Sequence, residues 1–429
     1  MLDEQQKYES YMDSGIPWIG TVPADWFWER GKWHHRYRKI LNSDGSNENV
    51  LSLTLRGVVN NDPSNPEGLV PSDYRTYQLF DKDDLVFKLI DLENVKTSRV
   101  GLVHENGIMS SAYIRLTPGS CTNSRFLYFF YYSLYQAEVF NKLGAGVRST
   151  LNQTDLLDLP VPIIDLATQN RIVNFLDAKT AEIDLAITKK RRLIELLKEQ
   201  KAILINRAVT KGLNPDAPMK DSGVDWIGEM PAHWDALRLE TIATYNDDTV
   251  NERQYRYRSI KYVDISAVDA DSNQYTYEKQ AFVNAPSRAR RLVQKGDTII
   301  STVRPYLKAV ATLLQADPDL VVSTGFAVAR PKQGTDASFL GYVLRNDLFI
   351  GEVVSNSVGA SYPAINASDL FKIKIPVPDL ATKNHIVRFL DEKTAEIDTA
   401  ITKERRLIDL LNEFKQTLIA NAVTGKIKI

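Results

Sequence analysis

Apolar residues along one stretch of the chain recur in alternating steps of four and three: Leu176, Thr180, Ile183, Ile187, Lys190, Ile194, Leu197, Lys201, Leu204 and Ala208. Neither proline nor glycine interrupts residues 168–211, and Leu, Ile, Ala, Glu and Lys dominate them. That pattern predicts a helix of about 40 residues, roughly 60 Å long, carrying a coiled-coil seam. The same spacing returns at Leu390, Thr394, Ile397, Ile401, Glu404, Ile408, Leu411, Lys415, Leu418 and Ala422. Asp177 aligns with Asp391, and this offset of 214 holds without a gap from Thr154 and Ser368 onward. So long an internal repeat is a duplication. Two matching seams in one chain should bury each other. A parallel, in-register pair would set Lys201 against Lys415, which is unfavourable, and Lys190 against Glu404, which is not. Chain connection argues better than charge. The chain builds a further domain between the helices, so antiparallel packing is expected, with one domain at each end.

A second signature is also duplicated. Residues 13–26 read DSGIPWIGTVPADW and residues 221–234 read DSGVDWIGEMPAHW. Trp18, Pro23 and Trp26 thus match Trp226, Pro231 and Trp234. Bulky aromatics between turn residues predict an irregular packed segment that clamps a domain onto something rigid. Between each signature and each long helix lie regions that resemble one another only faintly. Both look strand-rich, with 84–90 paralleling 297–303 and 107–118 paralleling 320–331. A helix is expected to follow over 126–143 and 339–354, and closing elements at 151–156 and 365–370 lead into the helical repeat. Residues 57–76, with three prolines, are expected to form a long polar loop. The expected organisation is α+β: first variable domain 1–160, long helix 161–212, second variable domain 213–374, long helix 375–429. Two long helices would form an antiparallel intramolecular coiled coil with pseudo-twofold symmetry.

Composition narrows the class without deciding it. A chain of 429 residues suggests two or three units at about 150 residues per domain. Net charge is −1, which neither announces nor excludes nucleic-acid binding, because local patches matter more than the total. The single cysteine, Cys121, rules out an internal disulfide and suits a reducing cytosol. No run of 18 apolar residues occurs, and the polar start is unlike a signal peptide, so a cytoplasmic protein is expected.

Catalytic signatures are missing. No phosphate-binding G-x-x-x-x-G-K-[ST] and no G-x-G-x-x-G between strand and helix is found. Gly144 and Gly146 follow a predicted helix and read as a turn. An Asn/Asp-Pro-Pro-Tyr/Phe stretch, needed to hold a target amine for methylation, does not occur. His34 and His35 lack partners at metal-ligand spacing, and no metal site is expected. Asp379 and Asp391 lie on the helical repeat, where carboxylates cap a helix or face solvent. Basic residues interleaved with aromatics are offered instead. Arg36, Arg38 and Lys39 cluster in the first variable region, with Lys88 and Arg148 as further candidates. Arg253, Arg256, Arg258, Arg290, Arg291, Arg304 and Lys308 are their counterparts in the second. Such clusters suit phosphate contact, leaving a few arginines to read base edges. One cluster alone is more often a solvated face; its recurrence in both regions favours DNA.

These features together resemble the specificity subunit of type I restriction–modification enzymes. The resemblance spans essentially the whole chain. It rests on the duplicated D-S-G-x-x-W-I-G-x-x-P-x-x-W signature, the Pro162 and Pro376 lead-ins, and the twin helices ending Asn206-Arg-Ala-Val-Thr and Asn421-Ala-Val-Thr. Where the family usually has Glu-Gln after the lead-in, this chain has Thr168-Gln169 and Thr382-Lys383. The resemblance implies two target-recognition domains, each reading half of an interrupted DNA site, and a helical pair that sets the gap. It implies no catalytic residue and no cofactor in this chain. S-adenosylmethionine would reside in two partner modification (methyltransferase) subunits, and two motor–nuclease restriction subunits would complete the assembly. A non-catalytic scaffold joining two protein-binding domains is the competing expectation; a self-sufficient methyltransferase or nuclease is a third.

Overall fold

Two aspartates start the long helices. Asp165 Oδ1 accepts the Thr168 amide at 2.8 Å, and Asp379 Oδ1 accepts the Thr382 amide at 2.9 Å. Each satisfies an amide that the first helical turn leaves without a partner. From these caps, in a computed structural model of the chain, run Leu166–Lys211 and Leu380–Val423, of 46 and 44 residues. The structure describes residues 7–62, 64–65, 71–93, 97–144, 150–315 and 317–429. Both helices stop near a glycine in the left-handed region, Gly212 at φ +73° and Gly425 at φ +71°. The fold is α+β, as the patterning predicts.

Backbone contacts divide the chain into two units, Met1–Lys190 with Arg406–Ile429, and Arg191–Arg405. Each unit holds one variable region and a part of both long helices. In the first unit, Leu176, Ile183 and Ile187 share a core with Leu418, Ile419 and Ala422. Lys415 Nζ there donates to Asp184 Oδ2 at 2.6 Å. In the second unit Ala208 and Val209 share a core with Ile386 and Leu390, and Lys201 Nζ donates to Asp398 Oδ1 at 2.7 Å. Early residues of one helix therefore meet late residues of the other in both units, which is antiparallel pairing. Lys415 stands 214 after Lys201, and Asp398 stands 214 after Asp184, so one pair occurs twice.

Seam burial is graded. Leu176, Ile183, Ile187, Leu390, Ile401 and Leu418 are buried, whereas Ile194, Leu197, Leu204, Ile397, Ile408 and Leu411 are half-buried. A residue in a two-helix seam has a single facing helix, and full burial needs a domain packed alongside. Leu176 has one: it shares its core with Phe126, Phe130 and Leu156 of the first variable region.

The variable regions share a frame and differ in what is built on it. In the first unit His35–Tyr37, Ile114–Pro118, Leu85–Phe87 and Val100–Leu102 form a four-stranded antiparallel sheet in that order. In the second, Ala243–Tyr245, Phe326–Pro331, Thr298–Ser301 and Val310–Thr312 repeat the order. The second unit adds another four-stranded sheet, Glu278–Ala281, Ser259–Val263, Leu320–Ser323 and Ala289–Leu292, with one parallel pairing. Strands Pro160–Ile163 and Lys374–Val377 carry the prolines into the long helices, pairing with Phe27–Arg30 and Asp235–Arg238.

Three local expectations are corrected. The expected helix over 126–143 is two, Ser124–Gln136 and Val139–Leu143, because Glu138 takes a left-handed conformation between them. The expected helix over 339–354 is likewise Ala337–Leu344 and Asp347–Ser355, since the Asn346 side chain caps the Leu348 and Phe349 amides. Within the expected loop 57–76, Gly57–Asn60 forms a strand with Leu51–Thr54. Apolar periodicity cannot show such breaks, because both pieces bury the same face.

The duplicated tryptophan signature is a clamp. Trp26 and Trp234 are buried, and each lies beside the glycine that ends a long helix in its own unit. A Cβ on Gly425 would sit 2.4 Å from Pro23 Cδ, and one on Gly212 would sit 3.1 Å from Trp234 Cζ2. Gly425→Ala is expected to cost about 1–3 kcal/mol of stability through overpacking, with a smaller loss for Gly212→Ala. Urea denaturation of the two variants checks the order, and equal stability of all three proteins would refute the clamp.

His35 opens a strand whose neighbour Arg36 is exposed, so its imidazole turns inward beside Tyr131 at a ring separation of 6.1 Å. Burial pushes its pKa down to about 4. The unfolded chain then binds more protons than the folded one between pH 6.5 and that value. Stability contributed by the neutral ring is complete above pH 6.5 and falls as pH drops, by about 1.4 kcal/mol per pH unit. His35→Phe should remove this slope, read as the difference between wild-type and variant unfolding free energies at pH 7 and 5.

Candidate nucleic-acid interface

Cations that can contact DNA need donor atoms that solvent reaches and that no carboxylate already occupies. In the first unit Arg36, Arg38 and Lys39 are exposed and make no ion pair among the described residues. Strand alternation explains this, since His35 turns in and Arg36 out. Lys39 lines a 430 Å³ hollow with Leu41, Ser43, Arg75, Thr76 and Ser111. Lys88 is half-buried in the sheet, and burial lowers its pKa, so it is poorly placed for phosphate. Arg148 lies outside the described residues. Lys32 pairs with Asp158 at 2.9 Å while its ammonium stands 5.8 Å from the ring of the exposed Trp33.

In the second unit Asn251 caps the short helix Glu252–Tyr255 through the Arg253 and Gln254 amides. Arg253, Arg256 and Arg258 are exposed and make no ion pair among the described residues. Arg256 lies 5.7 Å from the ring of Tyr257, whose own exposure of 86% is the largest among exposed aromatics. Arg258 stacks on Tyr255 at 5.1 Å, and Tyr255 packs edge-on against Phe282. Arg290 completes this group by covering Phe282 at 5.2 Å and pairing with Glu252 at 3.0 Å. The structure thus brings Arg258 and Arg290 to one aromatic platform made by Tyr255 and Phe282, with Arg253 and Arg256 exposed on the adjoining helix and turn. Base and phosphate contact both suit such a surface.

Other candidates stand elsewhere. Arg291, next to Arg290 on the strand, is half-buried, and desolvation lowers its pKa. Lys308 is exposed but paired with Asp347 at 2.8 Å. Arg304 lies on a separate loop, half-buried and without an ion pair among the described residues. Two arginines that sequence clusters do not single out are structural. Arg115 is 1% exposed, with Nε 2.6 Å from the buried Asp84, whose carboxyl burial pushes up. Arg330 grips Asp297 through Nε at 2.9 Å and Nη2 at 2.8 Å and reaches Asp248 at 2.6 Å. Their strand positions beside buried aspartates would have been the only sequence signal.

Among the described residues no three His, Cys, Asp or Glu are grouped so as to hold a metal ion, and no helix is long and apolar enough to cross a membrane. Asp379 is a helix cap, and Asp391 Oδ1 accepts the Tyr342 hydroxyl at 2.6 Å. Cys121 is an exposed free thiol in a turn.

Comparison with known proteins assigns the family. The type I restriction modification DNA specificity domain matches residues 57–196 and again 233–407, more than half of the chain. The type I restriction enzyme MjaVIII specificity subunit of Methanocaldococcus jannaschii is 24% identical over 338 residues, 76% of this chain and 75% of that protein. The EcoDI specificity subunit of Escherichia coli is 19% identical over 316 residues, 70% of each. A chain from a structure of the type I R-M system, described as the basis of its complex assembly and conformational transition, shares the fold. Its TM-score is 0.66 at 17% identity, over 94% of this chain and 99% of that one. The duplicated stalk, the duplicated clamp and the double domain match together place this chain in the type I restriction–modification DNA specificity family, as a specificity subunit with DNA-recognition domains.

Proposed function

We propose that residues 1–160 and 213–374 are target-recognition domains, each reading one half of a bipartite DNA site, and that residues 161–212 and 375–429 set the gap between the half-sites. The observation that carries this reading is the duplication itself: one helix written twice, paired antiparallel within each unit, with an unlike variable region attached to each copy. A split site with two unlike halves fits two related but different readers, by the logic that matches dimeric repressors to palindromes. Arginines without an ion pair among the described residues, Arg256 and Arg258 in the second unit and Arg36 and Arg38 in the first, supply the cations such reading needs.

The chain acts without chemistry of its own. It recruits two modification subunits that hold S-adenosylmethionine and methylate adenine N6 after flipping the base, and two restriction subunits join to complete the enzyme. Its near-neutral charge is consistent with partners supplying part of the DNA-binding surface. The MjaVIII and EcoDI relatives are named as restriction-enzyme specificity subunits, and the structural neighbour belongs to an R-M assembly. A cytoplasmic location follows from that role.

The deciding experiment is co-expression with the modification subunits, followed by genome-wide mapping of methylated adenines. Methylation confined to one interrupted sequence is expected. No duplex affinity in the assembled complex would instead leave a protein-binding scaffold. Inserting one heptad at equivalent places in both long helices lengthens each by about 10 Å, or about three base pairs. The gap should grow by that amount while both half-sites stay the same; an unchanged gap defeats the ruler. Arg256→Ala should weaken binding at one half-site only, by about 1–3 kcal/mol if it touches a base edge, or with a salt slope shallower by about one if it touches phosphate. Loss at the other half-site would overturn the domain assignment.

A further inference from the structure

Arg304 sits in a setting that its sequence neighbourhood does not announce. Its backbone is left-handed, φ +49° and ψ +56°, and the turn Pro305–Leu307 ends at Lys308, left-handed again at φ +55°. Such conformations are disfavoured for residues with a Cβ and persist only where the surroundings hold them. Here a second segment does so. The Arg304 amide donates to Pro363 O at 2.7 Å, the Ile365 amide donates to Thr302 O at 2.9 Å, and Val303 bridges Ala364. Zipping these segments together lays the guanidinium on the Tyr362 ring, with Cζ 4.3 Å from the centroid. That is the shortest cation–ring distance among the described residues. Tyr362 is 64% exposed and Val358, which also bridges Ala364, is 82% exposed.

A stacked guanidinium has its plane fixed while its edge donors stay open. Among the described residues Arg304 makes no ion pair to occupy them. Lys308 and Arg290, in contrast, are already engaged by Asp347 and Glu252. A planar two-donor edge, immobilised before binding, matches O6 and N7 of guanine in the major groove. The first unit has the same frame with different chemistry. Asp91 follows Asp84 by seven residues as Arg304 follows Asp297. Its φ is +55°, and the Leu151 amide donates to Leu89 O at 2.9 Å just as Ile365 does to Thr302. One scaffold position thus presents an acid in one unit and an arginine in the other.

Resting on the DNA-reading function above, we infer that Arg304, stacked on Tyr362, is a specificity-determining residue that reads a guanine in one half-site. The test uses the chain assembled with its modification subunits and a panel of duplexes in which each base pair of the site is changed in turn. Wild type must show a bipartite preference; a flat profile sinks the DNA-reading function itself and this inference with it. Given that preference, Arg304→Ala and Arg304→Lys should lose about 5- to 150-fold discrimination at a single G·C pair. Other positions, and the salt dependence of binding, should keep their wild-type pattern. Tyr362→Ala should lose discrimination at the same pair, and Tyr362→Phe, which keeps the ring face, should lose less. Uniform weakening across the panel with a shallower salt slope would make Arg304 a phosphate contact and overturn the inference, as would an unchanged profile or a change at an A·T pair. Melting temperatures are measured alongside. If Arg304→Ala unfolds, Arg304→Lys decides, because it keeps the charge and the aliphatic stem.

Discussion

One ion pair, written twice, sets the register on which this fold depends. Lys201 is buried on its helix, so an ammonium leaves water and must find a carboxylate; Asp398 provides it, and Asp184 does the same for Lys415. Both aspartates are half-exposed, so each pair adds at most about 1 kcal/mol of net stability. Its effect is selective. A slip of one helical turn would leave the largely buried Lys201 ammonium without its carboxylate, which favours this register over its neighbours. Lys201 also donates to Asp271 O at 3.1 Å, and Lys198 pairs with the Asp271 carboxylate, so the same helical turn ties a loop of the second variable region to the stalk.

Duplication explains the economy of this arrangement. When a helix pairs antiparallel with its own copy, any residue and its partner exchange roles in the other half. Complementarity evolved at one pair therefore serves two places, as in an isologous dimer interface. The clamps obey the same rule: Trp26 and Trp234 each pack beside a left-handed glycine at a helix end. Register, capping and clamping are required twice, and they are what the two halves share.

The variable regions face the opposite demand. Their four-stranded sheets keep one strand order, which maintains a core against the stalk, while the surfaces built on that order diverge. The first unit fills out with two-stranded ribbons; the second adds a sheet with a parallel pair and an aromatic platform. Sorting the cations by environment matters more than counting them. Arg115 and Arg330 are spent on buried aspartates, whereas Arg256, Arg258 and Arg304 lie against rings with their donors open.

Much of this was legible in the residues. The heptad spacing from Leu176 to Ala208 and its copy determined two long helices, because a 3.5-residue apolar period has one regular solution. Duplicated signatures determined the two-part organisation and, through their resemblance, the family. Antiparallel pairing was expected from chain connection; its ionic reason, Lys201 with Asp398 rather than with Lys415, was not, because sequence spacing does not say which residues face one another across two helices. Only the tertiary structure split the expected helices at Glu138 and Asn346, where a left-handed residue and a side-chain cap override an unbroken apolar face. It alone separated exposed Arg256 from half-buried Arg291, and it alone set Arg304 on Tyr362. Periodicity reports which face is buried, whereas a contact between residues 58 positions apart is decided by how two loops are hydrogen-bonded in space.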